Sequence, residues 1–163
     1  MKRILTIVSM SVLLSILDNS LVTFLSVKGY YPSLLFVFVI SYSIIQDDNE
    51  ALWVGIFSGL LQDIYFYHGF GVNTLINMLL CLLAAKIGKG IFKDKKIIPI
   101  ISVFFLSILK GCFIYGVLYI SKIYINLNTI LFIALYNMIV SIFIYSYVYK
   151  LCTKKFMKKD WKF

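Results

Sequence analysis

Residues 51–63 read ALWVGIFSGLLQD, and this stretch decides the fold. Gly55 and Gly59 are four residues apart, so on a helix they share one face. Two glycines there let a neighbouring backbone approach closely, as in tightly packed membrane helices. Asp63 follows four residues later on the same face. Because an ionisable group inside a membrane segment is costly and usually turns toward a partner or a cavity, the stretch predicts a packed membrane helix with a carboxylate on its contact face.

Composition places the rest of the chain in a membrane as well. Hydrophobic residues make up 61% of the 163 residues, and the mean hydropathy is +0.94. A soluble domain has about half apolar residues. We therefore predict an all-α integral membrane protein, a six-helix transmembrane bundle in which residues 1–163 form a single transmembrane domain. The predicted spans are about 4–27, 31–45, 51–67, 72–92, 97–121 and 127–151.

The positions of the basic residues predict the orientation in the membrane. With six spans, the N-terminus, the segment 86–96 and the segment 150–162 share one side and carry 13 of the 16 Lys and Arg residues. The positive-inside rule therefore puts both termini in the cytoplasm. The net charge of +9 lies at span ends, where it meets lipid head groups, so nucleic acid is not the expected partner.

The C-terminal basic tail is interspersed with aromatic residues. We predict that it anchors on the membrane surface, with docking of a cytoplasmic partner as the alternative. Its lysines are Lys154, Lys155, Lys158 and Lys159.

Three ionisable residues fall inside predicted spans: Asp18, Asp63 and Lys110. At about 1.5 Å per helical residue, all three lie roughly 18–21 Å from the cytoplasmic end. We therefore predict an intramembrane charged cluster, in which Asp63 and Lys110 face each other and Asp18 or Asn19 lies close by. Such a cluster is a structural ion pair that fixes helix register, a ligand-binding or proton-coupling site, or a solvated crevice near the outer surface.

The turn after the third span carries glycines and polar residues. Gly69 and Gly71 predict a sharp turn, and Asn73 and Asn77 are expected to hydrogen-bond to a neighbouring helix. His68 has no carboxylate or Cys at ligand spacing, so we predict no metal site. The chain contains no HExxH, GxSxG or P-loop motif. We therefore predict no catalytic residues, no cofactor and no enzymatic activity.

Three motifs carry a family resemblance. They are PSLL at 32–35, GxxxGLLxD at 55–63 and GxGxN at 69–73. With the chain length, the six-span layout and the lysine-rich tail, they make the chain resemble the rod shape-determining protein MreD family over essentially its whole length. Ser33 departs from the pattern, because many members carry Asp after the proline.

The resemblance implies a non-enzymatic scaffold of the bacterial cell-elongation complex in the cytoplasmic membrane. Such a protein would regulate cell shape and lateral peptidoglycan synthesis by binding an MreC-like bitopic protein, and would link MreB-like filaments to wall synthases. The implied fold is similar to the substrate-binding subunit of energy-coupling-factor transporters. Large aromatic side chains are candidates for the partner face: Phe104, Phe105, Phe113 and Tyr115.

The alternative is the small-molecule-binding subunit of a vitamin-type membrane transporter. Its pocket would be lined by Asp18, Asp63, Asn73 and Lys110. The scaffold and the transporter subunit are expected to differ in the space around the charged cluster. A scaffold should fill its charged cluster with its own side chains, whereas a binding subunit should enclose a cavity on the order of 300 Å³ or more.

Overall fold

The computed structural model describes residues 2–20, 24, 30–65, 70–90, 97–123 and 126–154. The described secondary structure consists of six helices, which confirms the predicted all-helical fold class. They are α1 (Lys2–Ser20), α2 (Leu34–Ile45), α3 (Asp48–Asp63), α4 (Val72–Lys89), α5 (Ile97–Ile120) and α6 (Leu127–Cys152). Four of them, α1, α4, α5 and α6, are long and apolar enough to cross a membrane.

Helix α2 is the centre of the bundle. Ten of its 12 residues are buried, and the other five helices all pack against it. A helix that is apolar on every side is stable only when it is surrounded in this way. At about 1.5 Å per residue, α2 is roughly 18 Å long and falls short of the ~30 Å hydrocarbon layer. The short second segment is therefore a buried core helix, shielded from lipid by its neighbours.

Helices α3 and α4 form the closest pair in the bundle. A Cβ atom added to Gly59 would lie 2.3 Å from the Cα of Thr74, and one added to Gly55 would lie 2.9 Å from the carbonyl oxygen of Asn77. Both glycines are buried. The absence of side chains at these two positions therefore allows the α3 and α4 backbones to touch.

Helix α3 ends earlier than the predicted span, which ran to residue 67. It ends at Asp63, because the chain turns there to begin α4 at Val72. Residues 66–69 lie outside the described part of the chain, and so does the predicted turn residue Gly69.

Two ion pairs join helix termini at one end of the bundle. Arg3 at the start of α1 pairs with Glu50 in the first turn of α3, and Lys89 at the end of α4 pairs with Asp48. We call this the Arg3 end. The opposite end carries Asp18 and Asp63, so neighbouring helices alternate in direction. That the Arg3 end faces the cytoplasm stays a prediction from the charge distribution.

Candidate functional site: a polar chain that joins six helices

Asp18 near the end of α1 caps the N-terminus of α2. Its carboxylate accepts hydrogen bonds from the backbone N–H of Leu34 (2.7 Å) and Leu35 (3.0 Å) and from the Ser33 hydroxyl (3.0 Å). The Ser33 Oγ in turn accepts from the N–H of Phe36 at 3.3 Å. The first N–H groups of a helix have no partner within it, and their partial positive charge favours an anion. Asp18 therefore lets α2 begin inside the bundle.

Asp63 at the end of α3 does the same for α4. One carboxylate oxygen accepts from the N–H of Asn73 (2.9 Å). The other accepts from the N–H of Gly71 (3.0 Å) and from both the N–H (3.0 Å) and the hydroxyl (2.6 Å) of Thr74. Gly71 has φ +96°, a backbone conformation that suits glycine. Asp63 is 2% exposed, so these four donors fill its environment.

Lys110 on α5 contacts neutral groups. Its Nζ donates to Gln62 Oε1 (2.5 Å) and to Asn77 Oδ1 (2.9 Å). It also lies 4.5 Å from the centroid of the Phe36 ring, within cation–π range. Amide oxygens and an aromatic face thus hold the ammonium group.

The predicted ion pair between Asp63 and Lys110 is wrong. Both residues are described, and the ion pairs found between described residues do not include them. The physical reason is that backbone N–H groups buried in a bundle must be satisfied from within the protein. Two helices start inside the bundle, and the N–H groups at each start bind one carboxylate. Because Asp18 and Asp63 accept these hydrogen bonds, Lys110 donates to the neutral amides of Gln62 and Asn77 instead.

The charged residues are joined indirectly through side-chain amides and a hydroxyl. Gln62 Nε2 donates to Ser33 Oγ (3.1 Å), and Asn77 Nδ2 donates to Gln62 Oε1 (3.0 Å). Asp18, Ser33, Gln62, Lys110 and Asn77 therefore form one continuous run of hydrogen bonds, which we call the polar chain. Its members belong to α1, the N-cap of α2, α3, α5 and α4.

A branch extends the polar chain to α6. The backbone N–H of Ser33 donates to Asn137 Oδ1 at 2.9 Å, and Asn137 Nδ2 donates to the hydroxyl of Ser107 at 2.7 Å. All six helices thus contribute a polar group to one connected set. A buried network whose members are all satisfied holds its elements in a single register.

The geometry of the polar chain favours a structural role over chemistry. The cavity beside Asp18, Ser33 and Gln62 measures about 120 Å³, well below the roughly 300–1,000 Å³ of typical small-molecule sites. Lys110 is enclosed by Gln62, Asn77 and the Phe36 ring. Asn19 is exposed at the rim of this cavity, and its side chain bonds back to the carbonyl of Ser15 rather than to a member of the polar chain.

Sequence reasoning missed four members of this network: Ser33, Gln62, Ser107 and Asn137. All four are neutral, and the argument from membrane cost addressed ionisable groups. The signal that could have found them was the presence of polar side chains inside or beside apolar runs.

Of the predicted basic tail, Lys154 is described and exposed. The others, Lys155, Lys158 and Lys159, lie outside the described residues.

Comparison with known proteins gives the chain a family. A search of curated proteins and a search of solved structures each found no match. A family model described as rod shape-determining protein MreD matches residues 1–155 of the 163. The chain therefore belongs to the rod shape-determining protein MreD family.

Proposed function

We propose that this chain is a non-enzymatic membrane scaffold of the bacterial cell-elongation complex, which regulates cell shape and lateral peptidoglycan synthesis by binding an MreC-like bitopic protein. Its family has a role in rod shape determination. The observation that carries the scaffold proposal is the polar chain. Its charged groups, Asp18 and Lys110, bond to a helix terminus and to amides of the same protein, as expected of a rigid assembly platform.

The size of the cavity at the polar chain argues against the vitamin-transport alternative. A binding subunit should enclose on the order of 300 Å³ or more beside its polar groups. The cavity beside Asp18 and Gln62 is about 120 Å³. Of the other expected lining residues, Asp63 and Asn73 are buried against one another at the start of α4, and Lys110 bonds to Gln62 and Asn77.

The outer face of α5 is the proposed site for the span of the bitopic partner. Its exposed residues are Ile101, Phe105, Leu109, Cys112, Phe113, Gly116 and Ile120. Cys112 and Gly116 lie four apart among bulky neighbours, and a Cβ atom on Gly116 would meet nothing within 4 Å. Small residues at this spacing let a second helix approach closely. Of the predicted aromatic candidates, Phe105 and Phe113 lie on this face, whereas Phe104 and Tyr115 are half-buried.

The outer face of α6 differs from that of α5 in the size of its exposed side chains, and it has the character expected of a lipid-facing surface. Its exposed residues are bulky: Leu131, Phe132, Leu135, Ile139, Ile142, Phe143 and Tyr147. The small residue on this side, Ser146, is half-buried and bonds to the carbonyl of Ile142. The exposed bulky side chains would therefore hold a partner helix further away. The contrast favours α5 for the partner and leaves α6 to the bilayer. In the proposed orientation, both termini and the basic tail lie in the cytoplasm, where MreB-like filaments and the inner parts of wall synthases are reached.

Co-purification from detergent tests both the function and the face. The tagged chain should recover an MreC-like bitopic protein, and Gly116→Leu should lose it while folding normally, because the added side chain projects into open space. Ser9→Leu is the matched control, since Ser9 is an exposed small residue on α1. Retention of the partner by Gly116→Leu would contradict the α5 assignment. Recovery of a transport module with its ATPases, or of a bound vitamin, would contradict the scaffold proposal itself.

A further inference from the structure

A large groove lies at the Arg3 end of the bundle, between α1 and α3. Its volume is about 560 Å³, in the range of sites that bind small molecules. Its apolar walls are formed by Ile4, Ile7, Val8, Trp53, Val54 and Phe57. Arg3, Tyr42 and Glu50 close it at one end. The polar chain lies at the opposite end of the bundle, so this groove is a separate feature.

The closed end of the groove holds two opposite charges side by side. The Arg3 guanidinium forms an ion pair with Glu50 and donates to Gln46 Oε1 (2.7 Å) and the Tyr42 hydroxyl (3.3 Å). The Tyr42 hydroxyl donates to Glu50 at 3.1 Å. The side chains of Arg3 and Glu50 remain 16% and 25% exposed, so both charges stay within reach of a ligand in the groove.

The groove exists because α1 turns its buried residues toward α2. Ile7, Ser11 and Ser15 recur every four residues and are buried, whereas Ile4 on the groove rim is 68% exposed. Trp53 on the facing side of α3 is 70% exposed and lies about one helical turn after Glu50. In a protein that crosses the membrane several times, such a groove opens sideways into the lipid.

We propose that this groove binds one phospholipid with a zwitterionic amine head group, of the phosphatidylethanolamine type. Its phosphate would lie against Arg3, its ammonium against Glu50, and one acyl chain along the apolar walls. The paired charges match a head group that carries both signs. An anionic head group would compete with Glu50 for Arg3 and would bring no cation for the carboxylate.

The length of the groove also favours a lipid over a partner helix. Its walls extend along α3 from Glu50 to Phe57, about 10 Å at 1.5 Å per residue. One leaflet contributes about half of the ~30 Å hydrocarbon layer. The groove therefore ends within a single leaflet, where an acyl chain fits and where a spanning helix would have to cross further than the groove reaches.

Quenching of Trp53 fluorescence tests the proposal directly. The chain has two tryptophans, so Trp161→Phe leaves Trp53 as the only reporter. The delipidated protein in detergent is titrated with phosphatidylethanolamine brominated on its acyl chain, and separately with phosphatidylglycerol carrying the same chains. We expect saturable quenching, with phosphatidylethanolamine binding about tenfold tighter, as one extra charge-assisted contact would give.

Three variants distinguish a specific site from general lipid contact. Val8→Phe should fill the groove and abolish saturable quenching while leaving the ion pair intact. Arg3→Gln combined with Glu50→Gln should remove the head-group preference, and Lys89→Gln, which breaks the other ion pair at this end, should not. Melting temperatures show that each variant is folded.

Three results would overturn the proposal. The first is quenching that never saturates or that persists in Val8→Phe, because this is contact with bulk lipid. The second is saturation with equal affinity for both lipids. A co-purified protein that shields Trp53 from a soluble quencher while brominated lipid fails to bind would assign the groove to a protein partner instead.

Discussion

Replacing Asp63 tests whether this carboxylate acts as a helix cap or as half of an ion pair. Asp63→Ala removes all four hydrogen-bond acceptor contacts and leaves three backbone N–H groups at the start of α4 without a partner. Asp63→Asn keeps one acceptor oxygen, which can serve the three donors from Gly71 and Thr74, but it turns an NH₂ group toward the N–H of Asn73. We therefore expect two graded losses of stability.

The contacts give the size of each loss. Hydrogen bonds to a charged acceptor contribute about 1.5–3 kcal/mol each, and a lost N-cap costs about 0.5–2 kcal/mol. With partial rehydration of the freed groups, Asp63→Ala should cost roughly 3–5 kcal/mol. Asp63→Asn, which loses one bond and the charge at the helix terminus, should cost about 2–3 kcal/mol. At about 2–4 °C per kcal/mol, the two variants should melt several degrees apart.

A thiol-reactive fluorogenic dye in detergent can measure these differences. Cys81 and Cys152 are buried and should react with the dye only on unfolding. Cys112 is exposed and would react in the folded protein, so all variants are made with Cys112→Ala to remove this background fluorescence. Asp48→Asn is the control, because it removes a carboxylate from a surface ion pair that should contribute under about 1 kcal/mol. Equal melting temperatures for Asp63→Asn and Asp63→Ala, or no loss in either, would refute the capping argument.

Three further predictions concern packing and the polar chain. In double-mutant cycles of unfolding free energy, Lys110→Met should couple to Gln62→Leu by more than about 0.5 kcal/mol and less to Asp63→Asn, because Lys110 bonds to Gln62 and forms no ion pair with Asp63. Stronger coupling to Asp63→Asn than to Gln62→Leu would support the ion pair instead. Gly88→Ala should lower the free energy of unfolding by more than about 3 kcal/mol, because its Cβ would lie 1.8 Å from the carbonyl oxygen of Ile44 on α2. A variant that melts at the wild-type temperature would contradict this close contact. Gly116→Ala should leave the melting temperature unchanged, and a loss would show that its face is packed within the protein.

The apolar runs were sufficient to predict six helices, because hydrophobic length is a local property of the chain. Counting residues along helices of similar direction placed Asp18, Asp63 and Lys110 at one depth, and hydrogen bonds through Ser33 and Gln62 do connect Asp18 to Lys110. The partners of the charges did not follow. Each carboxylate binds the start of the helix that comes next in the chain, and that contact depends on α2 and α4 beginning inside the bundle, which residue counts do not reveal.

The neutral members of the network were harder to identify for an energetic reason. A charge in a membrane segment requires a partner, so its presence alone predicts a contact. Serine, asparagine and glutamine can bond within their own helix, as Ser43 does with the carbonyl of Val39, and so their presence predicts little. The role of Gln62 as the bridge between Ser33 and Lys110 becomes visible only when three helices are placed together.

The burial of α2 has a consequence for how the protein enters the membrane. A segment of 12 residues is too short to be released into lipid as an independent span, because both of its ends would leave backbone groups in hydrocarbon. Its N-terminus is satisfied by Asp18 of the preceding helix and by Asn137 of the last. The enclosure of α2 therefore depends on helices that are synthesised after it, and it is complete only when α6 has been made.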